Sequence, residues 1–193
     1  MKYINLIFFA ILITSCSTTV DKNTVSSSGQ SPLEQSDSER RDYKKALSLL
    51  NSDNLSAAKE ILLQLNSDRP ELAGPYANLA VIALKNNQPN EALTLVKTAL
   101  TKNPKLPQAL NLLAYLEQIS GEILLAEKHY KEAIQYKDDY AIAHYNIALL
   151  YDVYLQDVDK AIPHYEKYME LIDNNDKNTA DWLEQIKRNK DKS

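Results

Sequence analysis

The single cysteine of the chain, Cys16, is the side chain best suited to covalent chemistry. It follows an apolar run, INLIFFAILI at residues 4–13, and precedes a stretch rich in serine and threonine. A thiolate is a good nucleophile, so Cys16 is suited to covalent modification. The chain has no second cysteine, so Cys16 forms no disulfide within it.

The other residue types show no pattern of an enzyme or a metal site. Three scattered glycines are too few for a phosphate-binding loop. The three histidines lack the spacing, to each other or to carboxylates, that zinc sites use: His129, His144 and His164. No nucleophile stands at a telling spacing from a base. The sequence therefore predicts a protein that is not an enzyme and binds no metal or cofactor.

The first 15 residues have the layout of a secretory signal peptide. Lys2 gives one positive charge, the apolar run follows, and small residues precede Cys16. The run is about half of the ~20 residues that a membrane-spanning helix needs. An uncleaved transmembrane anchor is therefore the weaker interpretation.

The residues Ile13-Thr14-Ser15-Cys16 resemble the lipobox of bacterial lipoproteins. The resemblance implies cleavage before Cys16 and acylation of that residue, with palmitate as a typical chain. Two or more acyl chains hold a protein firmly on a membrane, whereas one does not. Ser17, and not an aspartate, follows Cys16. Under the sorting rule of enteric lipoproteins, this implies the outer membrane, facing the periplasm, and not the inner membrane.

Residues 16–38 comprise the lipidated cysteine and a predicted disordered linker. Seven of the 22 residues from 17 to 38 are serine and three are threonine, with no apolar period. Loss of the signal peptide removes Lys2 and changes the formal charge from −4 to −5. This acidic balance gives no reason to expect a nucleic-acid partner.

Beyond the linker, the sequence repeats with a period of 34 residues. The rows are residues 39–72, 73–106, 107–140 and 141–175, and the last row is one residue longer. Apolar residues recur at helical spacing, and breaker residues divide each row. The eighth place is alanine in every row, which lets two helices approach closely: Ala46, Ala80, Ala114 and Ala148. Each row therefore predicts two antiparallel helices.

This pattern resembles the tetratricopeptide repeat (TPR) over residues 39 to about 175. The resemblance implies an all-α solenoid of helical hairpins in a right-handed superhelix, with about four repeats. Row 39–72 is degenerate and is expected either to cap the solenoid or to be poorly ordered. Residues 176–193 predict a capping helix and tail, in which Trp182, Leu183 and Ile186 form one apolar stripe.

The fourth row departs from the pattern in two places. Pro163 falls within its second helix, where a proline removes a backbone hydrogen bond, so we expect a late helix start or a kink. The segment YDVYLQ at residues 151–156 is expected to stretch the preceding helix or turn, because it carries the extra residue of this row.

The TPR resemblance also implies a binding groove, because the first helix of each pair lines the concave side and holds peptides or helices of partners. Tyr115 and Tyr145 are the strongest candidates for contact, whereas Leu149 is as well suited to the core. The places of a carboxylate clamp are mostly uncharged, as at Ala77 and Val81, so no such clamp is expected. The candidate groove residues are Asn78, Gln108, Asn111, Tyr115, Gln118, Tyr145, Leu149 and Asp152.

Together, these features predict a membrane-anchored scaffold or adaptor that binds one or more envelope proteins in the periplasm, in envelope or peptidoglycan machinery. The alternative is a pilotin-like assembly factor for a type IV pilus or a secretion secretin, and an enzyme is a remote alternative. Whether partners bind the concave or the convex face stays open at this stage.

Overall fold

The computed structural model describes residues 37–190. These residues form α-helices and contain no strand, which confirms the predicted all-α class. The signal peptide, Cys16 and the linker up to residue 36 lie outside the described residues, so their assignments stay predictions. The helices are α1 Asp37–Asn51, α2 Leu55–Asp68, α3 Ala73–Lys85, α4 Pro89–Lys102, α5 Pro107–Ile119, α6 Ile123–Tyr136, α7 Ala141–Leu149, α8 Val158–Leu171 and α9 Lys177–Lys190.

The first eight helices pack as four successive hairpins, α1 with α2 through α7 with α8. Small side chains lie where the two helices of each hairpin cross, because a methyl group lets helix axes approach to about 8–10 Å. All of them are 0% exposed: Ala46, Ala58, Ala80, Ala92, Ala114, Ala126, Ala148 and Ala161. Each hairpin also packs on the next one, so the core is continuous along the solenoid.

The first repeat forms a complete hairpin, although its sequence matches the motif least. Tyr43 on α1 lies against Gly74 on α3, where an added Cβ would be 2.5 Å from the phenol oxygen. Arg69, just after α2, pairs with Glu39 on α1 at 2.9 Å and with Glu71 in the following loop at 2.5 Å, which fastens the open end of the hairpin. This row therefore forms two ordered helices, and its capping role stays a prediction.

The turn inside each hairpin contains one residue in the left-handed region. The four residues are spaced like the repeats, and their φ values lie between 52° and 85°: Asp53, Asn87, Gly121 and Gln156. In the first three turns, the next N–H donates to the carbonyl five residues earlier, as from Glu122 to Glu117 at 2.8 Å. This bond closes a helix end that would otherwise leave carbonyls unpaired.

The fourth hairpin turn differs because it holds one more residue. Its α7 helix continues into a π-helical segment, Leu150–Tyr154. The closing bond then runs from the N–H of Asp157 to the carbonyl of Tyr151, six residues earlier, at 2.8 Å. A π-turn is the usual way for a helix to absorb one extra residue. The predicted stretch at residues 151–156 is therefore present, in the form of a π-helical segment.

The late helix start expected at Pro163 is wrong. Helix α8 begins at Val158, and the Asp157 side chain caps it by accepting from the N–H of Lys160 at 3.1 Å. Because a proline has no N–H, the carbonyl of Asp159 loses its hydrogen-bond donor in the helix. This carbonyl lies in the exposed first turn, and no other is affected. Water can replace that donor, which makes the interior proline tolerable.

Helix α9 covers the last repeat, as predicted. Two of the three residues of its predicted apolar stripe are buried. Leu183 and Ile186 are buried in the core cluster that extends through the fourth repeat. Trp182 is instead 41% exposed, because Asp152 holds its indole on the open side of the helix. Lys187 and Lys190 tie the end of α9 to α8 through Glu166 and Asp159, both at 2.5 Å.

Candidate protein-interaction surface

The third and fourth repeats place seven of the eight predicted groove residues on α5, α7 and the π-helical segment. They recur every three or four residues, so that they share one side of each helix. Gln108 is exposed, Asn111 and Gln118 are buried, and the remaining four are partly buried: Tyr115, Tyr145, Leu149 and Asp152. The eighth residue, Asn78, lies on α3. The groove role of all eight residues stays a prediction.

Two predicted contact residues already have partners within the solenoid. Asn146 donates to the side-chain oxygen of Asn111 at 3.1 Å, which joins α7 to α5. The Tyr130 hydroxyl donates to the side-chain oxygen of Gln118 at 2.9 Å. Because a buried polar group left unpaired costs about 1–3 kcal/mol, these amides help to hold α5 against α6 and α7.

Asn78 is held in a similar way at the other end of the solenoid. Its amide donates to the Tyr43 hydroxyl at 2.7 Å and to the Gly74 carbonyl at 3.0 Å. Burial, partly offset by the hydrogen bond with Asn78, raises the pKa of Tyr43 to about 12. The phenol is therefore neutral at physiological pH and seals the contact between the first two repeats.

Asp152 is the centre of a network that joins the fourth repeat to α9. One of its oxygens accepts from the Tyr165 hydroxyl at 3.1 Å and from the Trp182 indole N–H at 2.7 Å. Burial, together with the charge of Asp152, raises the pKa of Tyr165 well above its usual value. Asp152 thus fixes the position of an exposed tryptophan.

Tyr145 stands between this network and a second carboxylate. Its ring meets the Tyr165 ring edge-on at 6.2 Å and the Tyr168 ring at 4.9 Å between centroids. The Tyr168 hydroxyl donates to Asp176 at 3.1 Å. Burial would raise the pKa of Asp176, but hydrogen bonds from Thr179 and Tyr168 outweigh it and lower the pKa. The contact between α7, α8 and the start of α9 is therefore built of aromatic rings with anchored hydroxyl groups.

An exposed apolar strip lies at the hairpin-turn end of the third and fourth repeats. We define the apolar strip as Ile119, Val153, Tyr154, Leu155 and Trp182, which are between 37% and 59% exposed. None of these residues belongs to the predicted groove, although the sequence also allowed Tyr154 a place in a second, convex docking patch or a dimer contact. One signal was available in the repeat alignment: the thirteenth place is polar in the first two rows and apolar in the last two.

The three histidines serve the packing of the third and fourth repeats. His129 pairs with Glu117 at 2.7 Å. The facing Nδ1 atoms of His144 and His164 are 3.0 Å apart, and His144 Nε2 lies 3.0 Å from the Asp138 carbonyl. Since Nε2 of His144 donates to that carbonyl, its Nδ1 accepts from His164. Burial lowers the pKa of both rings, and that of His164 to about 4.

Residues 37–190 contain neither a metal site nor a membrane-spanning helix. No three or more side chains of histidine, cysteine, aspartate or glutamate are grouped so as to hold a metal ion. Within the same range, no helix is both long enough and apolar enough to span a bilayer.

Comparison with known proteins identifies the class of fold. The tetratricopeptide repeat family matches residues 141–175. No curated protein matches the chain. In a search of solved structures, the chain is similar to pilF of Pseudomonas aeruginosa, with a TM-score of 0.67 and 20% identity over 80% of this chain and 69% of that one.

Two other structures extend the comparison. The thermophilic TPR protein TTC0263 of Thermus thermophilus gives a TM-score of 0.63 at 20% identity, over 77% of this chain and 80% of that one. The first TPR of Spaghetti (RPAP3), solved with an HSP90 peptide, gives 0.54 at 19% identity, over 60% of this chain and 90% of that one. These likenesses show the fold alone: the chain forms a TPR-type solenoid of helical hairpins.

Proposed function

We propose that the protein is a lipid-anchored scaffold that gathers envelope proteins at the periplasmic side of the outer membrane. The observation that carries the scaffold role is the solenoid with its exposed apolar strip, since large exposed apolar patches mark interaction sites. The anchor is supported by the sequence around Cys16. Envelope or peptidoglycan machinery is the expected setting.

Labelling and fractionation test the anchor. The full chain and a Cys16→Ala variant are expressed in a Gram-negative host with radiolabelled palmitate. We expect the wild type to carry the label and to fractionate with the outer membrane, and the variant to carry none. An unlabelled wild type that fractionates with soluble proteins would remove the anchor from the proposal.

The residue after the cysteine provides a control for the membrane assignment. A Ser17→Asp variant keeps Cys16 and is expected to be labelled as strongly as the wild type. Under the enteric sorting rule, it moves to the inner membrane. An unchanged distribution of this labelled variant would contradict the sorting part of the proposal and leave the lipid anchor intact.

A pilotin-like assembly factor for a type IV pilus or a secretion secretin is the second candidate. The feature that favours it is the combination of a predicted lipid anchor with this repeat fold, and the likeness to pilF concerns the fold alone. Loss of the gene would then mislocalise a secretin. Normal secretin multimers in the deletion strain would rule this role out. An enzyme remains the remote alternative.

A further inference from the structure

The apolar strip is continuous between neighbouring repeats. Ile119 and Val153 hold the same place in successive repeats, so they follow one another along the solenoid. Tyr154 and Leu155 follow Val153 directly in the chain, and both are exposed. Trp182 is joined to Asp152, the residue before Val153, by a hydrogen bond of 2.7 Å. A partner could therefore contact all parts of the strip at once.

Carboxylates occur in the same two hairpin turns as the strip. Residues 117–124 and 150–160, the two hairpin turns that carry most of it, contain five carboxylates and one lysine. Their formal charge of −4 equals that of the whole chain, so the acidity of the protein is concentrated here. Lys160 and Lys190 offset Asp157 and Asp159. Within residues 37–190, no ion pair joins a lysine or an arginine to the other three carboxylates, Glu117, Glu122 and Asp152.

An exposed apolar strip with carboxylates in the same turns favours one kind of partner. We propose that the apolar strip and these carboxylates bind a cationic amphipathic segment of another protein, with its apolar side on the strip and its lysines or arginines beside Glu122 and Asp152. The inference rests on the scaffold role proposed above. A lipid surface is a poor occupant, because anionic headgroups repel carboxylates and membrane-binding faces are rich in lysine and arginine.

The position of the strip suits a partner that approaches from the side away from the tether. The linker joins α1 at Asp37, at the edge of the solenoid where the first helices of the hairpins begin. The hairpin turns lie at the other edge, about 20 Å away for helices of this length. The strip is therefore separated from the edge at which the chain is tethered.

Trp182 is the only tryptophan of the chain and lies in the strip, so its fluorescence reports on binding directly. The probe is an amidated helical peptide made of leucine and lysine, with each residue type on its own face. The control probe has glutamate in place of lysine. Both peptides are titrated into the full chain on phosphatidylcholine vesicles, with vesicles alone as the blank.

Two matched variants locate the site. Val153→Asn alters the strip, whereas Leu63→Asn alters an equally apolar residue on α2, which is 50% exposed against 59% for Val153. We expect saturable binding of the lysine peptide, weakened at least about tenfold by Val153→Asn and less than about twofold by Leu63→Asn. Glu122→Gln weakens it about threefold and reduces its salt dependence.

Three results would overturn the proposal. The first is no saturable binding of the lysine peptide, or binding that Val153→Asn leaves unchanged. The second is equal binding of the glutamate peptide. The third is a Trp182 signal that changes when the chain alone is diluted, which would indicate a second copy as the occupant. Any of these, with Cys16-dependent anchoring intact, removes this site and leaves the anchored scaffold standing.

Discussion

The second and fourth repeats have the same architecture but different surfaces at their hairpin turns. In the second repeat, α3 ends in Lys85, which pairs with Asp53 at 2.6 Å, and the turn is regular. In the fourth repeat, the corresponding residue is the exposed Val153, and the chain passes through a π-helical segment. At this place the second repeat therefore presents a paired lysine, and the fourth presents an exposed apolar side chain.

One added residue accounts for part of this difference. The π-helical segment keeps α8 in register with the other second helices while its wider turn carries Tyr154 and Leu155 outward. Asp152 then fastens the segment to α8 and α9 through Tyr165 and Trp182. The repeat can thus change its surface without changing its core, since the crossing alanines Ala148 and Ala161 remain fully buried.

We expect the largest effect on stability at a core position where the side chains of these two repeats differ in size. Tyr165 and Val96 hold the same place on α8 and α4, and both are almost completely buried. Tyr165→Ala should lower the free energy of unfolding by about 3–5 kcal/mol, and Val96→Ala by about 2 kcal/mol, because the larger side chain leaves the larger cavity. Urea unfolding followed by circular dichroism measures both. Equal losses would show that the two cores are equivalent.

The Asp152 network should matter more than the ion pair at the second turn. Asp152→Ala deprives a buried tyrosine hydroxyl of its acceptor and should cost about 2 kcal/mol, with a shift in Trp182 emission. Lys85→Ala should leave stability almost unchanged, since its partner Asp53 is largely exposed. Asp152→Asn keeps an acceptor and should recover much of the loss. Unchanged stability and unchanged Trp182 emission in Asp152→Ala would contradict the role of this residue.

Acidification should destabilise the fourth repeat through its histidine pair. The folded pKa of His164 is lowered to about 4, whereas an unfolded histidine titrates near pH 6.5. Between these values the unfolded chain binds more protons, so stability is present above pH ~6.5 and is lost as the pH falls toward 4. We expect a loss of about 1–2 kcal/mol after allowance for solvent near the ring.

The second repeat supplies the control for this effect. It has Tyr76 and Leu95 at the places of His144 and His164. The His164→Leu variant should therefore unfold with a weaker pH dependence over the same window, when urea midpoints are compared by Trp182 fluorescence. A slope that persists in this variant would assign the acid sensitivity to other groups.

The smallest effects concern the left-handed residues of the turns. Gln156→Gly should stabilise the chain by about 0.5–1 kcal/mol, because glycine adopts a positive φ without the cost that a Cβ brings. Gly121→Ala should destabilise it by about the same amount, since nothing within 4 Å of the added Cβ offers new contacts. Thermal unfolding measures both. Changes of the same sign would show that packing, and not the backbone, governs these turns.

The fold follows closely from the sequence because it depends on local signals. The period of 34 residues, the buried alanines and the proline at the start of α4 and α5 each act within one hairpin or between neighbours. The extra residue of the fourth row even locates the π-helical segment. The failure at Pro163 has a local cause too, since the Asp157 cap starts α8 before the proline is reached.

The site was harder to predict because its residues depend on distant partners. Helical spacing predicts that Asn111 and Gln118 lie on the concave side. Only the folded chain shows that Asn146 and Tyr130 already form hydrogen bonds with them. Likewise, Trp182 looks like a core residue of an amphipathic helix. Its exposure results from a hydrogen bond to a residue 30 positions earlier, which no periodicity can reveal.

Hydrogen–deuterium exchange of the full chain, with and without the leucine–lysine peptide, tests most directly whether binding belongs to the turns of the third and fourth repeats. The account predicts slower exchange at residues 117–124 and 150–160, and no change at the turn of the second repeat, residues 85–89. Equal protection of all hairpin turns, or protection confined to the second, would contradict it.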